Sequence, residues 1–152
     1  MPEGLRTRDT QLLLVEDNPA DAVLVKRALR ESGAPHELTV ASDGIEAMRY
    51  LRKQGPHASA TTPDLVLLDL NLPGKAGLEV LAEIKADPVL KIIPVIVLTS
   101  SGRAEDITRS YALGANSYLR KAASLESTWD LFKTIEHFWI KLAALPTRLE
   151  GV

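Results

Sequence analysis

The segment Pro63-Asp64-Leu65-Val66-Leu67-Leu68-Asp69-Leu70-Asn71-Leu72-Pro73 decides how this chain folds. Four consecutive apolar residues, Leu65 to Leu68, stand between polar and turn-forming residues. This pattern is typical of a short strand that is buried on both faces. The run ends in a carboxylate, Asp69. Because parallel sheets place ligands at the carboxyl ends of their strands, Asp69 is either a strand terminator or a reactive group.

Other apolar runs on either side of this segment alternate with stretches of helical periodicity. Strands are predicted at 11–15, 36–41, 65–68, 94–98 and 116–120, and helices at 19–32, 45–54, 77–86, 103–113 and 124–145. Such alternation with unpatterned strands implies a parallel sheet covered by helices on both faces. With right-handed crossovers, we expect an α/β fold with a flavodoxin-like five-stranded sheet of order 2-1-3-4-5 and five flanking helices.

Composition narrows the class of protein. The chain has 152 residues, 45% of them hydrophobic and 25% charged, with a net charge of −2, as in one ordinary globular domain without a nucleic-acid or membrane partner. Cysteine is absent, which excludes disulfides and thiolate chemistry. With no apolar segment of about 20 residues and no signal peptide, we expect a cytoplasmic protein. The expected organisation is a flexible arm at 1–10, a domain at 11–145 with a long last helix, and a tail at 146–152, with no output domain.

Ionisable or hydroxyl side chains stand at four of the predicted strand ends: Glu16-Asp17, Asp69, Thr99 and Lys121. In the expected fold these ends meet at one edge of the sheet. Three carboxylates there would repel one another by about 4 kcal/mol per pair at 4 Å and an effective dielectric constant near 20. Such a cluster either raises a pKa or binds a cation, and all-oxygen ligands with room for water suit Mg²⁺.

The remaining groups at this edge complete a phosphoryl site. The backbone carbonyl of Asn71 could add an oxygen to the metal, Lys121 adds a positive charge and Thr99 a hydroxyl donor. Together with a carboxylate nucleophile at Asp69, these are the components that phosphoryl transfer requires. A glycine-rich phosphate loop is absent from the sequence, which argues against a bound nucleotide.

Four motifs in order make the chain resemble the receiver domain of two-component response regulators: VEDNPAD at 15–21, LLDLNLP at 67–73, VLTSS at 97–101 and SYLRK at 117–121. The resemblance covers roughly residues 12–142. With EVLAEIK at 79–85 and the Phe138-Trp139 pair, the sequence is most similar to the small response regulators that pair with bacterial and cyanobacterial phytochromes.

This resemblance implies a phosphorylation switch, not an enzyme with turnover. It implies that Asp69 accepts a phosphoryl group from the phosphohistidine of a sensor histidine kinase, here a bacteriophytochrome. It further implies the following roles: Asp17, Asp69 and the Asn71 carbonyl as Mg²⁺ ligands, with Glu16 acting through water; Lys121 and Thr99 as partners of the phosphoryl oxygens; Thr99 and Tyr118 as switch residues; and Asn71 and Ser101 as residues that tune dephosphorylation, expected to be slow to moderate.

One position departs from the family pattern. The family lysine is usually followed by proline through a cis peptide, whereas Lys121 is followed by Ala122. A cis bond before alanine costs about 2.5–4 kcal/mol. We therefore expect either a trans bond with a shifted loop or a strained cis bond.

The last predicted helix carries more apolar surface than one buried stripe requires. We expect a homodimer through this helix, with the alternative that its extra turn folds back on the core. The predicted interface residues are Trp129, Phe132, Phe138, Trp139 and Leu142.

Two other functions compete with the signalling receiver. A flavodoxin-like flavin-binding module would need a Ser/Thr/Gly-rich loop after the first strand, where this chain has Glu16-Asp17. A phosphatase with an aspartate nucleophile would need a second acid two residues after Asp69, where this chain has Asn71.

Overall fold

The apolar runs form the strands of one parallel sheet. In the computed structural model, which describes residues 9–121 and 124–146, the strands are β1 (Thr10–Val15), β2 (His36–Ala41), β3 (Leu65–Leu68), β4 (Val95–Thr99) and β5 (Ser117–Arg120). Their order is β2-β1-β3-β4-β5. All pairings are parallel, with Leu12 opposite Leu65, Val66 opposite Val95 and Ile96 opposite Ser117. The predicted fold class and strand order are confirmed.

Five helices cover the two faces of this sheet. They are α1 (Pro19–Ser32), α2 (Gly44–Leu51), α3 (Gly77–Ala86), α4 (Ala104–Ala112) and α5 (Leu125–Ile135). Because strand side chains alternate between faces, Val66 and Leu68 of β3 pack in the core formed with α2 and α3. Leu65 and Leu67 pack in the core formed with α1 and α5. Both cores meet at β3, which explains why its run is apolar throughout.

Capping residues set the helix starts that the sequence predicts. The Asn18 side chain accepts hydrogen bonds from the backbone N–H groups of Ala20 and Asp21, and α1 ends at Gly33, which has φ of 80°. Helix α2 ends at Leu51, three residues before the predicted end. The cause is local, since Lys53 has φ of 55°, in the left-handed region where a right-handed helix cannot continue.

The last helix differs from its prediction. After Ile135 the backbone continues as a π-helix, Glu136–Leu142, and the Ala143 N–H donates to the Phe138 carbonyl at 2.7 Å. Ile140 stands five residues after Ile135, and both side chains are buried. Leu145, beyond the end of the helix, is also buried. The same five-residue spacing brings Lys141 Nζ to 3.0 Å from the buried Glu136 Oε1.

The π-helix changes which of the predicted interface residues face outward. Phe132 is 2% exposed and packs in the core with α1, so its assignment to an interface is wrong. Phe138 is 52% exposed and Leu142 65% exposed. Trp129 and Trp139 are half-buried against the α1–α5 core. The predicted stripe at steps of three and four is interrupted at Glu136, because the extra residue in the π-helical turn moves the following side chains round the helix.

The predicted domain boundaries stay a prediction, apart from the start of the first strand. Thr10, assigned to the arm at 1–10, is the first residue of β1 and pairs with His36. Residues 1–8 of that arm and 147–152 of the tail lie outside the described residues. Within the described chain, no helix combines the length and apolarity that crossing a bilayer requires. The cytoplasmic location stays a prediction.

Candidate phosphoryl-acceptor site

Backbone hydrogen bonds bring the predicted strand-end residues to one edge of the sheet. Beyond the last β1 residue, the Glu16 N–H donates to the Ala41 carbonyl at 3.0 Å. The Asp69 N–H donates to the Val15 carbonyl at 3.1 Å, and the Lys121 N–H donates to the Thr99 carbonyl at 2.8 Å. Each functional side chain therefore starts from a backbone position that the neighbouring strand fixes.

Lys121 is the centre of the charged groups at this edge. Its Nζ lies 2.6 Å from Glu16 Oε1, 2.9 Å from Asp69 Oδ2 and 3.0 Å from Asp21 Oδ2. Burial lowers the pKa of Lys121, but the hydrogen bonds to the three carboxylates outweigh it and raise the pKa above its ordinary value. The ammonium therefore stays charged at every physiological pH.

Glu16, Asp17 and Asp69 form a carboxylate cluster that fits a divalent cation. Each offers one oxygen, and these oxygens all lie within 4.8 Å of one another. Glu16 and Asp69 are buried and Asp17 is exposed. The pKa of Glu16 is raised, chiefly by burial and also by the charge of Asp69, against the lowering effect of Lys121. The ammonium therefore leaves part of the negative charge uncompensated, and oxygen-only donors of this kind suit a hard cation.

The turn after β3 orients the Asp69 carboxylate. The Asn71 backbone N–H donates to Asp69 Oδ1 at 3.1 Å, so each carboxylate oxygen has a separate donor. Helix α3 begins against this turn at Gly77, where a Cβ atom would lie 2.3 Å from the Asp69 carbonyl oxygen and 2.5 Å from Leu70 Cα. Only glycine allows this approach. The predicted role of the Asn71 carbonyl as a metal ligand stays a prediction.

Thr99 has an unsatisfied hydroxyl. The residue is fully buried, and its Oγ1 has no hydrogen-bond partner among the described residues. A buried hydroxyl without a partner costs roughly 1–3 kcal/mol. Thr99 ends β4, which pairs with β3, the strand that leads to Asp69. An unpaired donor at this edge suits an anionic group, because the group itself would supply the missing acceptor.

Tyr118 and Ser101, the two remaining predicted residues, are joined by a hydrogen bond at the loop after β4. The Tyr118 hydroxyl donates to the Ser101 carbonyl at 2.8 Å. The Ser101 hydroxyl donates to Asp106 Oδ2 at 2.5 Å. The Ser101 side chain is therefore engaged with the first turn of α4, while Tyr118 links β5 to the loop that follows Thr99.

Asp21 is the site residue that sequence reasoning missed. It stands in the VEDNPAD motif, yet helix capping accounts for that motif without giving Asp21 a role. Its position in the first turn of α1 was the available signal, because that turn directly follows the carboxyl end of β1 and so lies at the same edge of the sheet. The Lys121–Ala122 peptide cannot be assigned a conformation, since Ala122 lies outside the described residues.

The family of the chain follows from a sequence comparison. Residues 12–133 match the response regulator receiver domain, and the chain belongs to that family. As such it is a phosphoryl-accepting signalling domain and not a conventional enzyme. The family decides against the flavin-binding module and the phosphatase.

Individual relatives show which response regulators this chain is similar to. Response regulator Rcp1 of Synechocystis sp. is 47% identical over 135 residues, which cover 89% of this chain and 92% of Rcp1. The phosphorylated cyanobacterial phytochrome response regulator RcpA is 52% identical with a TM-score of 0.88, covering 91% of this chain and 99% of RcpA. The Mn²⁺-bound form of Rcp1 is 47% identical with a TM-score of 0.87, covering 90% and 99% of the two chains. The predicted similarity to phytochrome response regulators is confirmed.

Proposed function

We propose that Asp69 accepts a phosphoryl group from the phosphohistidine of a sensor histidine kinase in a Mg²⁺-dependent reaction. The observation that carries this proposal is the surroundings of the Asp69 carboxylate. It is 5% exposed, Lys121 Nζ lies 2.9 Å from one of its oxygens, and carboxylate oxygens of Glu16 and Asp17 lie within 4.8 Å. A nucleophile, a fixed positive charge and a set of oxygen ligands thus meet at one point.

In the reaction, an Asp69 oxygen forms a bond to phosphorus as the bond between phosphorus and the histidine nitrogen breaks. The nitrogen leaves with the bonding electron pair. The Asn71 N–H and Lys121 orient the carboxylate before attack, and the Lys121 ammonium offsets charge on the transferring oxygens. Asp17, Asp69 and the Asn71 carbonyl would hold the Mg²⁺, with Glu16 acting through water. When bound, the ion neutralises the carboxylates and the phosphoryl oxygens that approach them.

Two further side chains connect the modified carboxylate to the surface. The unpaired Thr99 hydroxyl is free to donate to a phosphoryl oxygen. Movement of Thr99 would alter the loop whose Ser101 carbonyl holds the Tyr118 hydroxyl at 2.8 Å. Thr99 and Tyr118 are therefore the proposed switch, and Asn71 and Ser101 the proposed determinants of phosphoryl lifetime.

Intact mass measurement after incubation with acetyl phosphate and Mg²⁺ tests the acceptor. The protein should gain about 80 Da, the mass of one phosphoryl group. Asp69→Asn should abolish the gain. Asp87→Asn is the matched control, because Asp87 follows α3 at the opposite edge of the sheet and caps the next turn. A gain that persists in Asp69→Asn, or no gain in the unmodified sequence, would refute the proposal.

The proposed donor is a phytochrome kinase, and the support comes from similarity to Rcp1 and RcpA over nearly the whole chain. A test compares transfer from an autophosphorylated phytochrome kinase with transfer from an autophosphorylated kinase of unrelated input, at equal concentration. Faster transfer from the phytochrome kinase is expected. Equal rates from both donors would contradict the pairing.

We also propose a homodimer through the last helix. Support comes from Phe138 and Leu142, which lie about one turn apart in the π-helix and are both more than half exposed. Light scattering at about 50 µM, where moderate self-association is populated, should give about twice the chain mass of 16.6 kDa. Phe138→Ser combined with Leu142→Ser should give a monomer. Val89→Ser, at an exposed apolar residue after α3, is the control and should leave the dimer intact. A monomer in every sample, phosphorylated or not, would contradict the proposal.

A further inference from the structure

We infer that Asp21 is a positioning residue that keeps Lys121 at the acceptor when a cation occupies the carboxylate cluster. The inference rests on the proposed role of Asp69. It starts from the hydrogen bonds of Lys121, whose three N–H groups have three carboxylate acceptors: Glu16 at 2.6 Å, Asp69 at 2.9 Å and Asp21 at 3.0 Å.

Two of these acceptors have a second task. Glu16 and Asp69 belong to the cluster whose oxygens lie within 4.8 Å of one another, and Asp21 does not. A cation that draws on the oxygens of Glu16 and Asp69 weakens their bonds to the ammonium and also repels it. Asp21 is then the acceptor whose carboxylate stays available to Lys121.

The end of the Lys121 side chain is held by these hydrogen bonds and not by close packing. Its side chain is 22% exposed, and it borders a cavity of about 410 Å³ between α1 and α5. Asp21, Leu24 and Phe132 line the same cavity. A flexible lysine beside open space has other rotamers available. Its position at Asp69 therefore depends on its acceptors.

The position of Asp21 is itself well defined. It lies in the first turn of α1, where its backbone N–H donates to Asn18 Oδ1 at 3.3 Å and where the helix dipole favours a carboxylate. The start of α1 thus fixes beside Lys121 a carboxylate that does not belong to the metal cluster. Asp21 acts on the reaction only through Lys121 and is not a catalytic residue.

The test is a double-mutant cycle on the rate of phosphorylation by acetyl phosphate at saturating Mg²⁺. Asp21→Asn should lower the rate about tenfold, the loss expected for one charge-assisted hydrogen bond. In a Lys121→Ala background, which is itself slow, the same substitution should have no further effect. Asp21→Glu, which restores the carboxylate, should recover most of the rate.

Two controls separate positioning from folding and from general charge. Thermal unfolding should show that Asp21→Asn stays folded at the assay temperature; Asp21→Ser serves if it does not. Glu31→Gln, at an exposed acid on the last turn of α1, removes the same charge and should leave the rate unchanged.

Several results would overturn the inference. They are an unchanged rate in Asp21→Asn, an equal loss in the Lys121→Ala background, or no recovery of the rate in Asp21→Glu. In each case the unmodified protein still gains a phosphoryl group on Asp69, so the proposed function would stand. Failure of the unmodified protein to gain it would instead refute the proposed function.

Discussion

The unpaired hydroxyl of Thr99 leads to an uncommon expectation: replacing a site residue should stabilise the protein. Thr99 is fully buried and its Oγ1 lacks a partner among the described residues. In Thr99→Val a methyl group replaces the hydroxyl at nearly constant volume. The cost of the unsatisfied hydroxyl, roughly 1–3 kcal/mol, disappears. Burial of one more methyl group adds about 0.8 kcal/mol, of which imperfect packing will remove part.

We therefore expect Thr99→Val to raise the free energy of unfolding by about 1–2 kcal/mol. For a chain of this length that corresponds to a rise in Tm of roughly 3–6 °C. Urea denaturation followed by circular dichroism measures it directly. Thr39→Val is the matched control, because the Thr39 hydroxyl lies in strand β2 and has a partner, Tyr50 Oη, at 3.3 Å. Losing that hydrogen bond should lower stability by about 0.5–1.5 kcal/mol.

Opposite signs for the two valine variants are the essential result. If Thr99→Val is no more stable than the unmodified protein, its hydroxyl is satisfied and the physical basis for its proposed role is wrong. A second measurement concerns the phosphorylated state. Acetyl phosphate with Mg²⁺ should raise the Tm of Thr99→Val less than that of the unmodified protein, because valine cannot donate to a phosphoryl oxygen.

Three further predictions concern the frame of the site. Gly77→Ala should lower the phosphorylation rate more than about tenfold, because its Cβ would meet backbone atoms of Asp69 and Leu70. Gly102→Ala is the control and should keep the rate, because its Cβ would meet the movable end of the Arg120 side chain. Lys85→Met should lower stability by about 1–3 kcal/mol in urea denaturation, because Lys85 Nζ donates to the Lys91 and Ile93 carbonyls at 3.1 and 2.8 Å; no loss would contradict this. The hydrogen bond from Lys75 lowers the pKa of Glu83 below 4.5, so Glu83→Gln should cost up to about 1 kcal/mol at neutral pH. That cost should vanish as the pH falls through the lowered pKa, because the carboxylate stabilises the folded state only while ionised; a cost that persists at low pH would contradict the assignment.

The sheet could be predicted because its signals are local and redundant. Each apolar run is long enough for one strand, and the strands β1, β3 and β4 lack alternation because both faces are covered. Once strand order is known, Glu16, Asp69 and Lys121 must meet, since the carboxyl ends of parallel strands share an edge. The proposed acceptor followed from topology plus residue type.

The features that the sequence did not reveal depend on contacts between distant segments. Asp21 reaches Lys121 across 100 positions of the chain, and at the start of α1 it looks like an ordinary first-turn acid. The π-helix at Glu136–Leu142 adds one residue to a turn. A search for hydrophobic residues repeating every 3.6 positions does not detect such a turn. Its trace in the sequence is the five-residue spacing of Ile135 and Ile140, which is recognisable once their burial is known.

The formal charges of the site connect cation binding to phosphorylation. Glu16, Asp17, Asp21 and Asp69 carry four negative charges and Lys121 one positive charge, a net charge of −3 when all are ionised. Phosphorylation replaces one carboxylate charge by a group of about −1.5 to −2, so the cluster becomes more negative. A divalent cation must therefore bind the phosphorylated protein more tightly than the unmodified one. The ratio of the two cation affinities is a coupling factor. Since linkage is reciprocal, the bound cation shifts the phosphorylation equilibrium toward the phosphorylated state by the same factor.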